Sequence, residues 1–140
     1  MLTLKVPESL SRAKRLELAD LIIEHIYDRT NSGKDVNGKA FKPYSKGYEE
    51  SLAGKVGNKK GATPNLQLSG DMLAAMTLLE NQKGKIVIGW DDQDERAKAE
   101  GNIIGSYGQP DPNPKKARPF FGIKPSKLRE LIDAVDNGNN

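Results

Sequence analysis

Few residues in this chain have types and spacing suited to chemistry. There is one histidine, His25, and no cysteine. A histidine pair, a thiolate nucleophile and a disulfide are therefore excluded. His25 lies in a helical pattern beside apolar residues, where an imidazole far more often packs or meets solvent than catalyses. The run "DDQDE", Asp91 to Glu95, invites a calcium loop. It fails that test, with Arg96 at the place of the sharp-turn glycine and Asn102 at the place of the bidentate glutamate. An exposed helix start is the better account, because acids in a first turn suit the helix dipole. "NSGKD" and "GNKKGAT" pair glycine with lysine, and neither has the spacing of a phosphate-cradling loop. A zinc site would have to be built almost wholly from carboxylates, which is unusual for that metal. No catalytic, cofactor-binding or metal-ligating residue is therefore expected, and the chain is not expected to be an enzyme.

The other chemically suggestive stretch is "KKARPFFGI", Lys115 to Ile123, which holds two of the three phenylalanines. Phe120 and Phe121 are adjacent, so in a strand they would point to opposite faces. One is then expected in the core and the other at a surface, a loop or a partner. RNA-binding sheets place their rings on alternate positions of one exposed face, so this pair reads as an anchor more than a base platform. Arg118 has the geometry to pair with a carboxylate, and Pro119 stiffens the approach while removing a backbone donor.

Charge is mild overall, at +3, but unevenly spread. Lys34 to Lys60 holds seven lysines against three acids, while Asp91 to Glu100 holds five acids against two basic residues. Two solvated faces would explain this, and so would complementarity between neighbouring copies, which steers association and fixes orientation. The lysine-rich stretch has no arginine and few aromatics, which argues against a nucleic-acid patch.

The elements that must position these residues follow from periodicity. At 140 residues the chain fits one domain, 1–140, and a mean hydropathy of −0.67 still leaves several apolar segments. "LTLKV" alternates as a first strand ended by Pro7. Ser9 is placed to cap a long helix with Leu16, Ala19, Ile23 and Ile26 on its apolar face, beside Leu18 and Ile22, ending near Asn31 and Gly33. Residues 33–64 carry six glycines and no apolar period, so they read as a flexible arm, with a short helix at most from Ser45 to Leu52. Ser69 is placed to cap a short helix through Met72, Leu73 and Met76. "MTLLE" and "KIVIGW" form a hairpin across "NQKG". A helix follows the acidic run, then a proline-rich loop, then "ARPFFGI" as an extended segment. Pro125 opens a last helix bearing Leu128, Leu131, Ile132 and Val135, and residues 137–140 should fray. The expected fold is α+β: a small, mostly antiparallel sheet of three to five strands, packed by a long N-terminal helix and a C-terminal helix, with long loops. No segment is apolar enough for a membrane span and the first residues lack a signal-peptide pattern, so a soluble protein kept in the cell that makes it is expected.

This order of motifs resembles the phage virion morphogenesis family, the tail completion or neck proteins of tailed bacteriophages and prophages. Gly38, Phe41, Pro43 and Tyr48 match the family's first element, and Leu68, Ser69, Gly70 and Leu73 its second. Ile86, Ile88 and Gly89 match its strand, and Arg118, Pro119, Phe120 and Gly122 the box before its last helix. The chain departs from the family at "AEGNIIGSYGQ", where a histidine-bearing stretch is common. The resemblance implies a structural virion protein that joins or finishes the neck and tail as a ring of identical subunits. Its place would be the virion, after assembly in the bacterial host cytoplasm. Its partners would be itself and other neck, connector or tail proteins, with no small-molecule substrate, membrane or cofactor, and DNA only as it passes through a ring. Under this reading the partner interface would draw on Lys39, Phe41, Lys42, Tyr44 and Tyr48, on Asp91, Asp92, Asp94 and Glu95, and on Arg118, Phe120 and Phe121. A small basic nucleic-acid-binding accessory protein is the alternative.

Overall fold

The computed structural model describes residues 1–41, 70–104 and 119–138. "KIVIGW" is apolar at nearly every position, so as a strand it must be covered on both sides. It forms β3 (Lys85–Gly89), between β1 (Leu2–Lys5) and β2 (Thr77–Gln82), antiparallel to both. Ile86 and Ile88 are fully buried on the helix-facing side. Leu2 and Leu78 both stand opposite Ile88, one from each neighbouring strand. The hairpin turn is tighter than the four residues "NQKG" suggested. Asn81 and Gln82 stay in β2, and Lys83 and Gly84 alone make the connection. Gly84 has φ +79°, the left-handed backbone that two-residue hairpins favour. A bulge between Leu78 and Glu80 interrupts the β2 register.

Helix α1 spans Arg12–Asn31, and its cap is Ser11 rather than Ser9. Residues 7–10 make a turn instead, with the Leu10 amide donating to the Pro7 carbonyl at 3.1 Å, and this drives Leu10 into the core. Ser11 Oγ then accepts from the Lys14 amide at 3.2 Å. The buried seam covers only part of the expected apolar face. Leu18, Ala19, Ile22, Ile26 and Thr30 are buried, whereas Leu16 is 49% exposed. At about 100° per residue, Leu16 lies roughly a quarter turn from the centre of that seam, so it ends on the flank. The helix stops at Gly33, whose φ of 81° breaks the pattern, as the sequence indicated.

One short helix and two longer helices complete the described fold. Helix α2 (Gly70–Ala74) puts Met72 and Leu73 into the core, and Met76 is buried just after it. Ser69, its expected cap, lies outside the described residues, as does the Ser45–Leu52 segment. Helix α3 (Gln93–Ile104) packs against α2. Helix α4 (Pro125–Gly138) opens on its proline and lies along α1. Val135 is fully buried at that contact, with Leu128, Leu131 and Ile132 partly buried around it. The helix runs through Asn137 to Gly138, the first two residues of the stretch expected to fray. The architecture is α+β, a three-stranded antiparallel sheet carrying helices. Nearly all the buried apolar residues form one cluster, and burying each large side chain there contributes about 1.5–3 kcal/mol.

The segment 119–124 departs most from expectation. It is not a strand, and its two phenylalanines do not face opposite ways. Both turn toward Trp90, whose ring centroid lies 6.2 Å from that of Phe120 and 4.6 Å from that of Phe121. Phe120 is fully buried and Phe121 half-buried.

Candidate functional site

The "PFFG" stretch adopts its shape because its backbone groups are satisfied by distant residues instead of a neighbouring strand. Arg29, in the last turn of α1, donates Nη1 to the Gly122 carbonyl at 3.0 Å and Nη2 to the Phe120 carbonyl. The Val36 amide donates to the Pro119 carbonyl at 3.0 Å. Gly122 packs closely there, since a Cβ would lie 3.2 Å from a Val36 methyl group and would require Val36 to give by a few tenths of an ångström. Val36 itself is held in a turn in which the Asp35 carboxylate accepts from the Asn37 and Lys39 amides at 2.8 and 3.0 Å. Burial lowers the pKa of Arg29, while the nearby Asp35 charge acts the other way. The guanidinium remains a cation at any ordinary pH. Among the described residues its buried Nε has no hydrogen-bond partner, so its two terminal nitrogens carry the clamp.

Trp90 closes the other side. Its indole Nε1 donates to the Met72 carbonyl at 2.6 Å, and its own carbonyl accepts from Arg96 at 2.7 Å. One ring system thus joins the end of β3, helix α2, the start of α3 and the phenylalanine pair. The arrangement has hydrogen-bonded cations and rings packed edge-on or tilted, and among the described residues it presents no nucleophile beside a base. It is built to hold a shape.

The residues expected at a partner interface are divided by the structure. Lys42, Tyr44, Tyr48 and Arg118 lie outside the described residues. Lys39 is exposed, and its backbone pairs with Asp35 in the turn before Phe41. Phe41, expected to face a partner, is 4% exposed and packs in the core, because its amide is tied to the Gly33 carbonyl at 2.9 Å behind the helix end. Phe120 is likewise core, which leaves Phe121 as the ring closer to solvent. In the acidic run, Asp91 and Asp94 are exposed. Asp92 is the helix cap, its carboxylate accepting from the Asp94 amide at 2.8 Å and the Glu95 amide at 3.2 Å. Glu95 is buried, so its side chain is not available to a neighbour in this conformation.

His25 faces α4 from the middle of α1 and is half-buried. Burial pulls its pKa below the ordinary imidazole range, and the charges of Arg29 and Lys127 add to the effect. Asp28 and Glu130 oppose it weakly. Lys127 and Glu130 form an ion pair at 2.5 Å that lowers the Glu130 pKa. Among the described residues there is no group of three or more histidine, aspartate or glutamate side chains placed to hold a metal, and no helix is long and apolar enough to cross a membrane.

Sequence reading missed Arg29, Trp90 and a third group, Arg15 with Asn81. Arg15 is buried, donating to Asn81 Oδ1 at 2.5 Å and to the Leu10 carbonyl at 2.6 Å. A basic residue in a helix's last turn reads only as a dipole complement, and nothing local marks it as a clamp on a segment far along the chain. Compared with known proteins, the chain matches no family model, no curated protein and no solved structure.

Proposed function

We propose that this protein is a structural subunit of a tailed phage or prophage virion. It acts in tail completion or in joining head to tail, as one copy in a ring. The observation that carries the reading is the convergence of three motifs separated widely in sequence. Phe41, the Ile86–Gly89 strand and the Phe120–Gly122 box meet in one buried assembly fastened by Arg29 and Trp90. That is what a scaffold requires: a rigid body whose exposed charges are free to meet another copy. Asp91 and Asp94 stand exposed at the start of α3, beside the structural Asp92. The lysines of Lys34–Lys60 supply the opposite sign within the same chain. In a head-to-tail ring, one patch meets a different patch on the next copy, so such asymmetry suits it.

Mass measurement by light scattering across a range of protein and salt concentrations tests this. Concentration-dependent closed oligomers, and a gene placed among portal, capsid or tail genes, are expected. A chain that stays monomeric at millimolar concentration would sink the reading. Salt-steep binding to DNA or RNA by a monomer would favour the nucleic-acid alternative.

A further inference from the structure

The turn after α1 runs Asp35–Val36–Asn37–Gly38–Lys39 and is tied across itself several times. The Asp35 amide donates to the Lys39 carbonyl at 2.8 Å, the Gly38 amide donates to the Asp35 carbonyl at 3.0 Å, and Lys34 pairs with Ala40. From inside, the Asp35 carboxylate accepts from the Asn37 and Lys39 amides. Gly38 has φ +80°, which gives the loop the pattern of a type I turn followed by a left-handed glycine. Asn37 and Gly38 are exposed, and no atom stands within 4 Å of where a Gly38 Cβ would be, so solvent reaches this peptide group freely. An asparagine followed by glycine is chemically labile, because no Cβ hinders the glycine nitrogen as it approaches the asparagine side chain.

We propose that Asn37 is a site of spontaneous deamidation whose rate is set by the Asp35 turn. In the reaction the Gly38 nitrogen gives up its proton to hydroxide and attacks Asn37 Cγ. A bond forms between them, the Cγ–Nδ2 bond breaks, and the amide leaves as ammonia after taking a proton from water. Water then opens the cyclic imide. Opening at Cγ leaves an aspartate, whereas opening at the main-chain carbonyl leaves an isoaspartate, whose backbone runs through the former side chain. Nothing is oxidised or reduced. Exposure and the glycine permit this chemistry, and the turn opposes it. Before a left-handed glycine in such a turn ψ is about 0°, so closing the ring requires the Asn37–Gly38 peptide to rotate by about a third of a turn. That rotation breaks the hydrogen bond from Gly38 to Asp35. The product matters beyond the loop because Val36 lies within it. Its amide donates to the Pro119 carbonyl at 3.0 Å, and its methyl groups face Gly122. Isoaspartate adds one main-chain atom between Val36 and Lys39, and the loop then cannot keep both its own hydrogen bonds and the seat of Val36 on the box.

Trypsin, cutting after Lys34, Lys39 and Arg129, separates the two asparagine–glycine pairs of the chain, with Asn37 in peptide 35–39 and Asn137 in peptide 130–140. The protein is aged at mildly alkaline pH, either folded or in guanidinium chloride, and the mass and isoaspartate content of each peptide are followed. At Asn37 the denatured chain should deamidate about tenfold faster than the folded one, the effect of opening one or two turn hydrogen bonds. Asp35→Ala loses the inner acceptor and should bring the folded rate close to the denatured one. Asp35→Asn keeps an oxygen there and should stay near wild type. Aged protein rich in isoaspartate should melt below the Asn37→Asp variant, which carries the same charge on a normal backbone. Equal wild-type rates folded and denatured would overturn the restraint, and this comparison decides alone should Asp35→Ala not fold. A folded Asp35→Ala that deamidates as slowly as wild type would overturn it too. An aged sample that melts with Asn37→Asp would show that the loop tolerates the longer backbone, and the link to the box would fall. No deamidation at Asn37 even in denaturant would end the proposal outright.

Discussion

Arg29 donates to the Gly122 carbonyl at 3.0 Å, across 93 residues of chain, and takes the Phe120 carbonyl with its other terminal nitrogen. The end of α1 thereby fixes the approach to α4, and the two helices that pack together are tied by backbone as well as by side chains. Arg29→Ala should cost about 2–3 kcal/mol in urea unfolding, since charge-assisted hydrogen bonds are lost and two carbonyls need new partners. Arg29→Lys should recover less than half, because an ammonium cannot reproduce the fork. A loss under about 0.5 kcal/mol would show that the clamp is incidental.

The two phenylalanines should separate cleanly. Phe120 is fully buried, so Phe120→Ala should cost about 3–5 kcal/mol. Phe121 is half-buried against Trp90, so Phe121→Ala should cost about 1–2 kcal/mol, the loss of one ring contact and some burial. The single tryptophan makes the experiment convenient, because its fluorescence reports on both rings. Should Phe121→Ala keep the monomer folded and weaken assembly, the exposed side of that ring belongs to an interface. Equal losses from both variants would contradict the burial seen here.

Much of this fold was legible for local reasons. The apolar run 86–90, the alternation of 2–5 and the glycine of the hairpin each constrain their own neighbourhood, and the sheet follows. On α1 the expected Leu18, Ala19, Ile22 and Ile26 are all buried, but Leu16 and Ile23 satisfy the same spacing and lie on the flank of the true seam. Only the partners decide which stripe is buried, and Arg15 enters it by meeting Asn81, far away in sequence. The box was misread for the same reason. Adjacent phenylalanines face opposite ways only in a strand, and a strand needs a neighbouring ladder. Here the ladder is replaced by Arg29 and Val36, which no local pattern announces.

The acidic run should divide into structural and surface members. Asp92→Ala removes the cap of α3 and should cost about 1 kcal/mol, while Asp92→Asn should be nearly neutral. Asp91→Asn and Asp94→Asn should leave the melting temperature almost unchanged, since both side chains are exposed. If the acidic surface meets basic residues of a neighbour, the latter pair should weaken assembly at low salt and lose that effect at high salt. An Asp94→Asn melting loss as large as that of Asp92→Ala would undo this division.

His25 predicts a pH dependence whose sign can be worked out. Its pKa in the folded protein is lowered, by burial first and then by Arg29 and Lys127. The unfolded chain therefore binds more protons over the window between that lowered value and the ordinary one near 6.5. Stability is at its fullest above about 6.5, falls as pH drops through the window, and levels once both states are protonated. The cause is the charge that protonation would place between α1 and α4, where two cations already stand and the carboxylates of Asp28 and Glu130 only partly compensate. Other groups also titrate at acid pH, so the informative quantity is a difference. His25→Gln should flatten the urea midpoint between pH 7.5 and 5.5 relative to wild type. Removing Lys127 as Lys127→Met should shrink the wild-type slope without abolishing it, because burial remains the larger cause. Parallel profiles for wild type and His25→Gln would mean that the imidazole meets the same surroundings folded and unfolded, and the proposed packing against α4 would be wrong.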